Sequence, residues 1–230
     1  MNPMTTRRRA WMSWSSGKDS AFALRVARER PDLEITALLT TVTDEFARVS
    51  MHGVREELLR AQARAVGLPL VEVRIPSPCT NAVYEARMAE ALSRAAEDGV
   101  DTVVFGDLYL ADIRAYREEK LSAIGFRAEF PLWKRDTGEL AREMIASGLR
   151  AVLTCVDPRR VPRELAGREF DTRLLDELAR LPGVDPCGEN GEFHTFAHAG
   201  PPLSLPVPIQ VGEIVERDSF VFADVLPRLA

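Results

Sequence analysis

Cysteine and lysine are scarce in this chain, and long apolar runs are missing. The three cysteines, Cys79, Cys155 and Cys187, lie far apart and form no Cys-x-x-Cys pair. That spacing excludes a disulfide framework and the usual zinc and iron–sulfur arrangements. No apolar run approaches the roughly 20 residues of a membrane span. Arg7-Arg8-Arg9 looks like the start of a signal peptide, but no adequate apolar stretch or cleavage site follows, so it reads as a solvated tail. A net charge of −5 leaves no basic footprint for a large RNA or DNA surface. Repeats and low-complexity segments are absent. The expectation is a cytoplasmic globular protein with no membrane partner and no nucleic-acid partner. With 46% hydrophobic residues in 230, the chain can fill one large core or one domain with an appendage.

Of the 30 basic residues only Lys18, Lys120 and Lys134 are lysine. Lys18 therefore stands out, because a compact ammonium on a flexible stem suits a phosphate oxygen as a point charge. It lies in the stretch around which the chain is organised. An apolar segment, Ala10-Trp11-Met12-Ser13-Trp14, reads as a buried strand. The polar turn Ser15-Ser16-Gly17-Lys18-Asp19-Ser20 follows, with Asp19 or Ser20 as helix cap. Ala21, Phe22, Leu24, Val26 and Ala27 then recur at helical spacing. Strand, small-residue turn and helix start converge free N–H groups and the positive end of the helix dipole on one point, which makes an anion cradle. It is not the P-loop of kinases, since Lys18 is followed by Asp19 and no glycine stands five residues before Gly17. Nor is it a dinucleotide fingerprint, which needs three glycines in six residues.

Downstream, residues 34–42 are β-branched and apolar, fitting a strand buried on both faces of a parallel sheet. Helices are expected over 54–66, 82–97, 113–124, 138–147 and 171–181, and strands over 69–75, 102–105 and 151–155. The alternation implies a doubly wound α/β fold with a mostly parallel sheet, Rossmann-like, plus a smaller C-terminal substrate-side elaboration of the sheet edge. Residues 1–9 are read as a flexible tail, 10–135 as the nucleotide-binding core and 136–230 as a substrate-side region packed on it. Residues 201–222 alternate apolar and polar positions with prolines, as edge strands or a hairpin do. Ligands of such sheets bind beyond the carboxyl ends of the strands near a switch point, where both the first turn and Gly106-Asp107 belong.

A second constellation, from Gly188 to Thr195, packs two glycines, Glu189, Glu192, His194 and a hydroxyl into eight residues. Gly188 and Gly191 imply tight turning or close approach to a ligand. If the chain is extended from residue 193, Glu192 and His194 share one face, and Phe193 and Thr195 the other. A polar loop whose carboxylates cap neighbouring N–H groups is the alternative.

The hexapeptide at Ser15–Ser20 resembles the Ser-Gly-Gly-x-Asp-Ser loop of the PP-loop, or N-type ATP pyrophosphatase, superfamily of adenine nucleotide alpha hydrolase-like proteins, with Ser16 in place of the first glycine. Taken with Met51-His52, Phe105-Gly106-Asp107, Phe130-Pro131-Leu132-Trp133 and Asp185-x-Cys187-Gly188-Glu189-x-Gly191-Glu192-Phe193-His194-Thr195, the chain resembles the diphthine–ammonia ligase family. Phe193 stands where a tyrosine is more usual. The resemblance implies ATP and ammonium as substrates, Mg²⁺ as cofactor, and adenylation then amination of a carboxylate. That carboxylate acceptor stays open; a homodimer is compatible. Ser15, Ser16, Gly17, Lys18, Asp19, Ser20, His52, Gly106 and Asp107 would bind ATP, with Asp19 a candidate Mg²⁺ ligand. Gly188, Glu189, Gly191, Glu192 and Thr195 would bind the substrate. Lys18, Asp19, Glu189, Glu192 and His194 are the catalytic candidates; Glu118 and Trp133 are weaker ones. A tRNA-modifying PP-loop enzyme and a non-catalytic ATP-binding protein of this fold are the competing readings.

Overall fold

The computed structural model describes residues 7–45, 48–49 and 53–228. Five strands form a parallel sheet in the order β4 (Leu70–Ile75), β2 (Leu33–Thr43), β1 (Arg8–Ser13), β5 (Val100–Val104), β6 (Arg127–Glu129). A two-residue strand, β3 (Arg48–Val49), adds antiparallel to the end of β2. Strand order reverses between β1 and β5, and the first turn hangs from the carboxyl end of β1 at that switch point.

Period-two alternation in β1 sends Ala10 and Met12 to one face and Trp11 to the other. The first face is covered by α1 (Lys18–Arg28) and α2 (Glu56–Val66), the second by α3 (Asn81–Glu97) and α4 (Ala111–Ser122). α2 ends at Gly67, whose φ of 74° is the left-handed cap that glycine adopts without strain. No described helix is long and apolar enough to cross a membrane.

After α5 (Thr137–Ala146) the chain builds a second sheet instead of extending the edge of the first. Its antiparallel order is β8 (Phe193–Ala199), β7 (Arg150–Val156), β10 (Phe220–Pro227), β9 (Ile209–Arg217), with α6 (Thr172–Leu178) between β7 and β8. The stretch expected at 151–155 is thus a strand of this sheet, and the fifth parallel strand is β6. Asp218 and Ser219, at φ 51° and 67°, make the two-residue turn of the β9–β10 hairpin. One apolar core runs from Ala10 through α1 and α2 to Phe196 and Val225, so the second sheet packs on the α1/α2 side. Arg8 and Arg9, expected in a solvated tail, open β1. The Arg8 guanidinium pairs with Asp32 and Glu129 at 2.8 Å each.

Candidate active site at the switch point

A cleft of about 660 Å³ opens where the first turn, the end of β5 and the loop before β8 meet. Ser15, Gly17, Asp19 and Ser20 form one wall, Gly106 and Asp107 the floor, and Gly188, Glu189, Gly191, His194 and Thr195 the facing wall. Three stretches far apart in sequence are thereby brought together.

The first turn is built for N–H groups. α1 starts at Lys18, with Gly17 as N-cap and no side-chain capping bond, so Asp19 and Ser20 occupy the first turn instead of capping it. Orphan N–H groups of that turn point toward the cleft end of the helix, where the dipole is positive. The Thr195 hydroxyl oxygen accepts from the Lys18 N–H at 3.1 Å, fastening β8 to the helix start. Ser15 and Ser20 hydroxyls lie 3.2 Å apart, and Ser20 Oγ donates to the Gly17 carbonyl at 3.0 Å. Ser16 takes φ +70°, the left-handed conformation a glycine would adopt freely, and its buried hydroxyl has no hydrogen-bond partner.

Lys18 corrects the sequence reading. Its side chain is buried and does not line the cleft. The ammonium donates to both Asp19 carboxylate oxygens at 2.9 Å and to the Cys187 carbonyl, and lies 5.2 and 5.4 Å from the Phe170 and Phe193 ring centres. Burial pulls its pKa down, but Asp19, with Cys187 and Glu189 nearby, outweighs that and holds it above the usual lysine value. Lys18 thus ties α1 to the loop before β8. Gly106 lines the cleft and also packs on α1. A Cβ there would sit 2.9 Å from Asp19 C and Ser20 N, so the glycine lets the end of β5 approach α1. Asp107 pairs with Arg117 at 3.1 Å, and Arg117 lies over the Phe105 ring at 4.3 Å.

The facing loop turns on Asp185, whose carboxylate accepts from Cys187 N–H at 2.8 Å and from the Thr137 hydroxyl at 2.7 Å. Gly188 and Gly191 sit at φ 73° and 80°. Glu189 reaches across the cleft to accept from Leu108 N–H at 2.7 Å. Burial, with Asp19 and Asp107 nearby, pushes its carboxyl up to about 7. His194 is held down to about 4 by burial and by the Lys18 charge, so it is neutral at physiological pH. Glu192 is a correction. It is fully buried and off the cleft wall, with its carboxylate accepting from Asp185 N–H (3.1 Å), Asn190 N–H (3.0 Å) and Arg160 (3.0 Å). At the start of β8, Phe193, His194 and Thr195 all border the cleft, and the Phe193 ring packs against Phe170.

His52 lies outside the described residues. Glu118 pairs with Arg114 on exposed α4 at 2.7 Å, and Trp133 packs against Arg114; neither lines the cleft. The sequence reading missed Arg117 and Phe220, which do. Both come from elements with no local motif. Sharing Ser13, Phe105 and Arg117 with the cleft, an apolar chamber of about 250 Å³ opens between α3 and α4, lined by Leu39, Met88 and Leu121.

Fold and cleft define the class: a doubly wound α/β protein with its ligand cleft at the switch point, faced by a loop from a second, antiparallel sheet. Residues 8–128 match the profile described as diphthamide synthase N-terminal domain, and 136–221 that of the diphthamide synthase C-terminal domain. The chain belongs to the diphthamide synthase family. A diphthine–ammonia ligase of Danio rerio is 29% identical, over 92% of this chain and 90% of that protein. The one of Rattus norvegicus is 28% identical over 92% and 86%, and that of Homo sapiens 27% over 80% and 73%.

Proposed function

We propose that this chain is an ATP-dependent carboxylate–ammonia ligase that adenylates the carboxylate of diphthine or a like acid, releases pyrophosphate, and lets ammonia displace AMP to give the amide. The observation that carries the reading is the pairing, in one cleft, of a helix start without a side-chain cap and the Glu189 carboxyl beside neutral His194. The family and the ligases similar to this chain support it over the tRNA-modifying and non-catalytic alternatives.

A carboxylate is a poor acylating agent because oxide is a poor leaving group; a mixed anhydride with AMP removes that obstacle. The chain's task is to hold the acid in line with the α-phosphorus and to stabilise the departing pyrophosphate. The N–H groups of Gly17, Asp19 and Ser20, with the Ser15 and Ser20 hydroxyls, hold the phosphates. The chamber between α3 and α4, which shares Ser13 and Phe105 with the cleft, seats the adenine ring. Thr195 donates its hydroxyl proton to the acid, and Gly188 and Gly191 shape the loop around it. Ionised Glu189 gathers ammonium, and Glu189 or His194 takes the proton that frees the attacking lone pair. Lys18 and Glu192 serve this site from behind, by fixing the two loops. In this reading residues 10–135 carry the nucleotide and 136–230 the acceptor.

Among the described residues no group of three or more His, Cys, Asp or Glu side chains is arranged to hold a metal. A magnesium that arrives with the nucleotide needs only one or two carboxylates beside phosphate oxygens and water. Asp19 and Asp107, both on the cleft wall, would hold it. Such an ion offsets charge on the phosphates.

The test incubates the protein with ATP, ammonium and an elongation factor carrying diphthine. The expected result is AMP, pyrophosphate and amide in equal amounts, with the acid-to-amide change read by mass spectrometry. ADP in place of AMP, or nucleotide turnover with no amide, contradicts the reading.

A further inference from the structure

We infer that Gln62, a helix residue that touches no cleft wall, is the positioning residue that aims the first turn's N–H groups at the phosphates. The inference rests on the ligase reading only in placing the phosphates at that turn. Gln62 projects from α2 and is fully buried. Its Nε2 donates to the Ser16 carbonyl at 3.0 Å and to the Ala197 carbonyl, and its Oε1 accepts from Trp14 Nε1–H at 3.0 Å. A glutamine amide has two N–H donors, and both are used. The reversed amide would set Oε1 against two carbonyl oxygens and Nε2 against an indole donor, so the network itself fixes its orientation.

The Ser16 carbonyl also accepts from Ala197 N–H at 2.9 Å. Two donors, one from each half of the chain, therefore hold that oxygen on the side away from the cleft. In a planar trans peptide the C=O of one residue and the N–H of the next point in opposite directions. Pinning the Ser16 oxygen inward turns the Gly17 N–H outward, toward the Ser15 hydroxyl on the cleft wall at 3.4 Å. The same clamp explains how a serine stays at φ +70°. A left-handed non-glycine residue persists where its surroundings over-determine it. Released from Gln62, the 16–17 peptide can rotate to relieve Ser16, and the donor leaves the cleft.

The test compares Gln62→Met and Gln62→Glu with Trp14→Phe, which removes the indole donor but leaves both carbonyl clamps. ATP affinity by calorimetry and melting temperature are measured on each. Both Gln62 variants are expected to weaken ATP binding about tenfold or more, since a misaimed donor is a lost charge-assisted bond. Trp14→Phe is expected to lower the melting temperature yet hold ATP affinity within about threefold. A Trp14→Phe loss matching that of Gln62→Met overturns the inference, as do Gln62 variants with wild-type ATP affinity. Independently of any variant's folding, ¹⁵N-labelled wild-type protein is titrated with inorganic pyrophosphate, and the Gly17 amide resonance is expected among those that move most. If other amides of residues 15–20 move and Gly17 does not, Gln62 aims nothing and the ligase reading stands. If none of them moves, the phosphate placement falls, and this inference with it.

Discussion

Residues 13–20 and residues 185–195 face each other across one cleft, and they supply it with opposite things. The first stretch gives backbone N–H groups and small hydroxyls, and its one large cation, Lys18, is turned inward. The second gives a carboxyl, an imidazole and a hydroxyl, and its other carboxylates, Asp185 and Glu192, are spent on holding the loop. Their glycines differ as well. Gly17 keeps an extended backbone at φ −85°, whereas Gly188 and Gly191 are left-handed turns. A wall of fixed dipoles costs no reorganisation when charge develops on phosphate. A wall of titratable groups can gather a cation and move a proton. The proposed reaction divides along that difference, with adenylation assigned to the first wall and amination to the second.

The sharpest way to break that division is Glu189→Gln, which keeps the acceptor facing Leu108 N–H and removes the charge. Amide formation is expected to fall by about 10²–10⁴, with ATP affinity changed by less than about threefold. In the wild type, activity at fixed free ammonia is expected to rise as pH climbs through about 7, because Glu189 ionises there. Its raised value means the carboxyl is protonated, and idle as base, below that point. The inflection is expected to vanish in Glu189→Gln. His194, at about 4, contributes no inflection between pH 6 and 8.

Lys18→Met tests whether the lysine is a strut. It removes a buried ammonium and leaves the Cys187 carbonyl and the Asp19 carboxylate without it. A loss of about 2–3 kcal/mol in denaturant unfolding is expected, below the usual figure for a broken buried pair because Asp19 keeps 28% side-chain exposure. Gly106→Ala sharpens the packing half of the comparison. Its Cβ must push β5 from α1, for about 1–3 kcal/mol of stability and a weakened ATP site. Gly191→Ala, which meets nothing within 4 Å, is expected to cost only the left-handed strain, about 1 kcal/mol. An effect of the same size, and the only gain, belongs to Ser16→Gly. Relief of φ +70° and of an unpartnered buried hydroxyl is expected to add about 1 kcal/mol, or roughly 2–4 °C in melting temperature.

Local patterns carried the parallel sheet and its helices, because β-branched runs and 3.6-residue spacing are written within each element. Strand β6 escaped because three residues, Arg127, Ala128 and Glu129, are too short a run to establish a period. The separate second sheet escaped because its order is fixed by pairings such as Phe222 with Cys155, which leave no short-range trace. At the site, the stretches that build the walls were visible, but not the direction of their side chains. Lys18 looks like a phosphate ligand until Phe170 and Phe193 supply the seat that draws it inward. Gln62 has no motif at all; it matters only because α2 delivers it to the Ser16 and Ala197 carbonyls.

The most direct measurement is a crystal structure with α,β-methylene-ATP, which cannot be cleaved between its α- and β-phosphates. The account predicts the triphosphate against the N–H groups of Gly17, Asp19 and Ser20, with the α-phosphorus facing Thr195 and Glu189 and the Lys18 ammonium still buried. A triphosphate lodged elsewhere, or one bound to the face of the cleft away from α1, would contradict it.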